Sequence, residues 1–211
     1  MKRTAQETGN VAAAAFGLKA HSGWTALVVL GTSGRELQVV DRRRLELVAD
    51  ADKSWARQPY HAAEELPRAE AEKIVKRGID AARRIALHEM RAAVKRTREY
   101  GFEVRSCGLL VGYPMPNWSV AEILAVHFRM HKAEGVLFRD VLAEAAKACD
   151  LNLVAISEKL LFEQAEAALQ TRADSLSQQI AALGKSVGAP WGKDQKDAAL
   201  AAMIALAGKK K

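Results

Sequence analysis

The sequence predicts an α/β domain on a mixed sheet, with front antiparallel hairpin strands, βαβ units behind them and helices on both faces. Three observations carry this. Residues 24–30 (WTALVVL) form a nearly continuous apolar run between short turns, as a strand buried on both faces requires. Residues 67–100 hold one long pattern of helical period, opened by Pro67 and ended before Gly101. After it, apolar runs of strand length alternate with runs of helix length, the order of a βαβ chain.

The elements follow in order. Residues 11–19 (VAAAAFGLK) read as a first strand, and His21, Ser22 and Gly23 as a tight connection to the second. GTSG at 31–34 is a glycine-bounded turn into ELQVVD at 36–41, which completes a hairpin. Three arginines follow, and RLELV at 44–48 reads as a further strand. Residues 49–66 are polar and irregular. The long helix leads to a strongly apolar strand at 103–112, stopped by the two prolines of YPMPNWS. Ser119 and Glu122 have capping-box spacing, opening a helix towards Asp150 with a bend or break at Gly135. LNLVAIS at 151–157 is a short strand. Helices are expected at 158–169 and 172–184, then a Gly/Pro loop, and a last helix capped by Asp194.

The chain has 211 residues, 49% of them apolar, enough for a single domain spanning 1–211 with a substantial core. Helices in 157–207 would pack on the sheet or form a dimer contact. Cys107 and Cys149 make no CxxC pair and sit in apolar surroundings, so they read as buried small hydrophobes in a reducing compartment. No run reaches the roughly 18–20 apolar residues of a membrane span, and the first ten residues lack an apolar signal core. A cytoplasmic protein without membrane attachment is expected. The net charge of +7 favours anionic partners, nucleic acid among them.

Four groups of residues carry candidate chemistry. On the long helix, a step of 100° per residue places Lys73, Arg77, Arg84, Arg91, Lys95 and Arg98 in one stripe about 60° wide, opposite the apolar face. Such a stripe can track a phosphate backbone, although a solvated helix face accounts for it more simply. In HFRMHKAEG, His127, His131 and Glu134 share a helix face, and two imidazoles with a carboxylate can hold zinc or a related metal. The HExxH order is absent, His21 is a conceivable third imidazole, and a partly buried polar face is the simpler account. Lys19, His21 and Ser22 follow the first strand, and Tyr113 and Asn117 follow the fourth. Strand ends are where α/β sheets place ligands, and Lys19 with His21 suits an anion. Asp194 and Asp197 suit a cap and a helix dipole as well as a site. Trp118 and Trp191, in Gly/Pro-rich loops, read as plugs at the edge of the core. P-loop and GxGxxG signatures are missing, which removes the common nucleotide-binding loops.

The element order, with GLKAHSGWTALVVL as opening hairpin, GLLVGYP as fourth strand and DQKDAALAAMIAL as terminal helix, resembles the ribonuclease H-like superfamily and within it the Holliday-junction-resolvase branch. The resemblance implies a nucleic-acid partner and an acidic site at the strand ends that holds divalent metal. It also marks a departure. No acid lies between Val11 and Leu30, where such nucleases carry one, and Lys19 and His21 stand there instead. The expected function is therefore a nucleic-acid-associated protein with a degenerate or altered acidic site, its candidate catalytic residues Lys19, His21, Glu134 and Asp194. Whether it is an enzyme stays open. Two alternatives remain: a non-catalytic homo-oligomeric assembly module, from the Ala/Leu-rich helices, and a metal-dependent hydrolase using the His/Glu group. A divalent metal is the candidate cofactor.

Overall fold

The computed structural model describes residues 11–34 and 36–208. The N-terminal decapeptide, on which the expectation of no apolar signal core falls, and the three terminal lysines lie outside the described residues. Five strands form one sheet: β1 (Ala12–His21), β2 (Trp24–Ser33), β3 (Glu36–Glu46), β4 (Phe102–Val111) and β5 (Asn152–Ser157), in the order β3-β2-β1-β4-β5. β2 is antiparallel to both its neighbours, and β4 and β5 run parallel to β1. This is the mixed sheet expected from the sequence, front hairpins first and βαβ units after.

Period two sorts β1 between two layers. Phe16 and Leu18 face the layer made by α2 (Arg68–Glu99) and α4 (His127–Ala148), where Met90, Phe138 and Leu142 are fully buried. Gly17 and Lys19 face the opposite layer, made by α5 (Leu161–Leu169), α6 (Ala173–Val187) and α7 (Lys193–Ala207). α7 is buried from Asp197 to Ala205. Its alanines bring its backbone onto the sheet: a Cβ built on Gly17 would stand 1.8 Å from the Ala198 carbonyl oxygen, and one on Gly108 only 2.2 Å from that of Ala201. Glycine at those two places is a condition of the close approach. Of the two roles expected for the helices in 157–207, packing on the sheet or a dimer contact, the apolar surface of DAALAAMIAL takes the first.

Four local expectations are corrected. The segment 44–48 is not a separate strand. β3 runs unbroken to Glu46, paired with β2 from Ser33↔Glu36 to Trp24↔Glu46. Its arginines sit comfortably on this edge strand because Arg43 reaches Asp41 at 2.6 Å and Arg44 reaches Glu46 at 2.5 Å. β1 extends to His21, so His21 lies within the strand rather than in the connection after it. The helix after Ser119 breaks at Val126, between α3 (Val120–Leu124) and α4, and passes through Gly135 unbroken. Finally, the stretch before α2 holds a short helix, α1 (Lys53–Ala56), and two single 3-10 turns, one of them His61–Ala63. Ser119 accepts from the Glu122 amide, and the capping box is complete. Among the described residues, no helix is long and apolar enough to cross a membrane.

Candidate functional site

The carboxyl ends of β1, β4 and β5 face the amino terminus of α7, and four ionisable groups meet there. Lys19 comes from β1, Glu158 from the residue after β5, and Asp194 and Asp197 from one face of α7, three residues apart. Lys19 Nζ lies 2.7 Å from Asp197 Oδ2, 3.2 Å from Glu158 Oε1 and 3.3 Å from Asp194 Oδ1. The lysine side chain is only 7% exposed. Burial alone would depress its pKa, but hydrogen bonds and attraction from Asp197 and Glu158 prevail, and the net shift is upward. Lys19 is thus held as an ammonium.

The cluster has a second rank of cations. Lys193 Nζ sits 2.5 Å from Asp197 Oδ2, and the Arg139 guanidinium lies 4.0 Å from Glu158. His21 Nε2 is 3.1 Å from Asp194 Oδ2 but off the line of a hydrogen bond. Its ring stacks on Trp24 at 4.2 Å, the cross-strand neighbour. Beside the cluster, Gly112, Tyr113, Glu158, Lys159 and Lys193 line a surface pocket. Tyr113 is 70% exposed, with Lys159 Nζ 4.6 Å from its ring centre. An exposed phenol ring with one lysine against it, in a pocket that a second lysine lines, offers aromatic surface and positive charge.

Of the residues read as catalytic, the fold brings Lys19, His21 and Asp194 together and leaves Glu134 apart. Glu134, on α4, is 2% exposed and turns both oxygens to the 58–61 segment: Oε1 and Oε2 lie 2.9 and 2.8 Å from His61 Nδ1, the His61 amide donates to Oε1 at 3.2 Å, and Gln58 Nε2 donates to Oε2 at 3.4 Å. It is therefore not a ligand alongside His127 and His131. Those two rings do meet each other, Nε2 to Nε2 at 3.1 Å, and the third imidazole beside them is His61 rather than His21. Trp191 plugs as expected, covering Gly184 and donating to the Ile180 carbonyl. Trp118 packs on the core with Arg129 over its ring. Ser22 and Asn117 make no recorded side-chain bond among the described residues and contribute nothing to the cluster.

All six cations of the α2 stripe are exposed. Arg77 lies 3.9 Å from Asp52 and Lys95 lies 3.9 Å from Glu99. Among the described residues, no carboxylate comes within ion-pair distance of Lys73, Arg84, Arg91 or Arg98. At 1.5 Å per residue the stripe from Lys73 to Arg98 is about 38 Å long, close to one turn of B-form DNA.

Sequence reasoning missed Glu158 and His61. Glu158 carries a signal only once the sheet order puts the end of β5 near the end of β1. His61 lies in a segment without periodicity, far from its partners in the chain.

Front antiparallel strands, two parallel strands reached by helical crossovers and a helix layer on each face make this an α/β protein with the strand order that the resemblance to the ribonuclease H-like superfamily implies. Among solved structures, the chain is similar to RuvC of T. thermophilus in complex with Holliday junction substrate, at 8% identity and a TM-score of 0.49, covering 91% of each chain. A second Thermus thermophilus RuvC structure gives 10% identity and a TM-score of 0.47, covering 90% of this chain and 92% of that one. No protein-family model matches the sequence, and no curated protein matches it.

The resemblance to ribonuclease H-like nucleases implies two divalent ions held among carboxylates. That pair of ions does not fit the residues present. The position from which the first strand would offer an acid offers an ammonium, and that ammonium already contacts all three acids. Lys19 neutralises part of the acids' charge as a metal ion would, but an ammonium has no exchangeable coordination position on which to activate water.

Proposed function

We propose that this protein binds nucleic acid on a ribonuclease H-like scaffold, and that Lys19 stands in for divalent metal at its strand-end site. The observation that carries the reading is the Lys19 ammonium seated among Asp194, Asp197 and Glu158 at 2.7–3.3 Å. The acidic residues are present and convergent, but their charge serves an internal ion pair. What remains available to a partner is positive: the exposed α2 stripe, and Lys159 beside Tyr113. These groups recognise phosphate and the faces of bases. The reading is recognition without two-metal hydrolysis.

Mobility shifts with a four-way junction, a duplex and a single strand, over a salt series, test the first half. Neutralising four to six phosphates gives log Kobs against log[salt] a slope of about −4 to −5 on duplex DNA. No shift with any of the three substrates at 50 mM salt overturns it. The same substrates with Mg²⁺ or Mn²⁺ test the second half: intact substrate is expected, and metal-dependent cleavage that Asp194→Asn abolishes overturns it.

A further inference from the structure

The imidazoles of His61, His127 and His131 stand together on the α2/α4 side of the sheet, each able to offer a ligand nitrogen within 4.8 Å of the others. From this geometry we infer a binding site for one divalent transition metal of the zinc type, with three histidine ligands and Glu134 as the residue that orients the first of them. The inference is independent of the nucleic-acid reading and of Lys19.

Three features separate this group from histidines that merely share a surface. The first is the tautomer. The Glu134 carboxylate, 2% exposed, accepts from His61 Nδ1 and from the His61 amide. An acceptor at Nδ1 places the ring proton there and leaves Nε2 with a bare lone pair. His61 Nε2 is buried and has no hydrogen-bond partner among the described residues. A buried unpartnered acceptor is costly unless something occupies it.

The second feature repeats the first on another ring. His127 Nδ1 is 3.4 Å from Glu64 Oε1, while its Nε2 turns inward to His131 Nε2. Two imidazoles thus carry a carboxylate on the outer nitrogen and present the inner one, the arrangement that fixes ligand orientation and raises basicity at metal centres.

The third feature is the spacing. Ring centres lie 4.5, 4.7 and 5.1 Å apart, with two of the three pairs near perpendicular. Tetrahedral zinc with Zn–N of about 2.0–2.1 Å needs nitrogens roughly 3.4 Å apart. His61 is oriented by Glu134 and His127 by Glu64, whereas His131 is exposed with no carboxylate partner among the described residues, so a small turn of its ring closes the set. Only five histidines occur in the whole chain, so a grouping of three is not a by-product of a histidine-rich sequence.

The donor set selects the ion. Three neutral nitrogens suit zinc, cobalt, nickel or copper and do not suit Mg²⁺, which demands oxygen. Three protein ligands leave one tetrahedral position for water or a solute anion.

The test uses the full chain with any affinity tag removed, stripped with chelator and titrated with Co²⁺ and with Zn²⁺. One equivalent of Co²⁺ should bind and give the visible absorption of a tetrahedral ion, and Zn²⁺ should displace it. His131→Ala changes an exposed residue, so its fold should survive by circular dichroism while its affinity falls at least 100-fold. Glu134→Gln should weaken binding 10–100-fold, as loss of an orienting carboxylate does. His88→Ala, an exposed histidine outside the group, should bind like the parent. Absence of stoichiometric binding in the parent overturns the site, as does equal affinity in the parent and in folded His131→Ala. Competition by millimolar Mg²⁺ would overturn the assignment of ion class.

Discussion

Lys19 Nζ and Asp197 Oδ2 lie 2.7 Å apart, with 7% of the lysine side chain and 11% of the aspartate's exposed. This contact joins the central strand to the helix that covers one face of the sheet, so its loss is felt in folding as well as in the site. Removing one partner of a buried pair strands the other charge, at a cost of about 3–5 kcal/mol. Lys193 still reaches Asp197, so Lys19→Met should fall at the low end, about 3 kcal/mol by urea denaturation. Asp194 is 28% exposed, and Asp194→Ala should cost clearly less than Asp197→Ala. The double variant Lys19→Met/Asp197→Leu should be less destabilised than the sum of its single changes. Strict additivity would show that the two groups do not interact.

Alkaline stability follows from the same lysine and from Cys107. Lys19 is shifted up from its ordinary 10.5, so the unfolded chain releases this proton first. Its contribution is whole below pH 10.5 and is lost as pH rises beyond that. Burial pushes the Cys107 thiol from 9.0 up to about 12, which again makes the unfolded state the better acid. Stability should therefore begin to fall near pH 9 and fall further past 10.5. Urea midpoints between pH 7 and 11 check this. Cys107→Ala should lessen the earlier part of the decline, to which the Cys149 thiol, also pushed up from 9.0 by burial, contributes as well, and Lys19→Met should lessen the later part.

How much of this could be read in advance depends on the distance over which each signal acts. Lys19 and His21 stood out because they stand at the end of an otherwise apolar run, where α/β sheets place ligands, a local fact. The carboxylate ring around Lys19 was half legible: Asp194 and Asp197 are near neighbours on one helix, whereas Glu158 joins them only through the lateral order of three strands. The α2 stripe was legible in full because helical period alone defines it. The histidine group was read with the wrong third member. Spacing on α4 placed Glu134 with His127 and His131, and it is indeed nearby, but its side chain is drawn inward to His61, which no periodicity connects to α4. Gly135 was a misleading break signal: the cost of a helical glycine, about 1 kcal/mol, is small beside the packing of Leu137, Phe138 and Val141 just beyond it.

Gly17 and Gly108 set how deeply α7 sits, and through it where Asp194 and Asp197 stand. A methyl group at either position would overlap backbone of α7, which cannot rotate out of the way as a side chain can. Gly17→Ala and Gly108→Ala should each destabilise the fold by at least about 1–3 kcal/mol, the usual cost of overpacking. Gly17 is two residues from Lys19 on the same face. Its substitution should therefore also loosen the Lys19 pair, so that Lys19→Met costs less in the Gly17→Ala background than in the parent. Thermal melts of the four proteins measure that coupling.

The α2 stripe makes a prediction separable from all effects on folding. Lys73, Arg84, Arg91 and Arg98 are exposed and have no carboxylate at ion-pair distance among the described residues, so replacing them should leave stability within about 0.5 kcal/mol of the parent. If they contact phosphates, each loss removes close to one unit from the salt slope and weakens binding without preference for sequence. Arg84→Ala/Arg91→Ala should thus bind duplex DNA more weakly at 50 mM salt, with a slope shallower by about two. Arg77 and Lys95 have acidic neighbours at 3.9 Å, so part of their charge is already answered. Arg77→Ala/Lys95→Ala should change the slope less than the first pair does. Equal slopes for both double variants and the parent, with binding retained, would move the interface off α2 and onto Lys159 beside Tyr113.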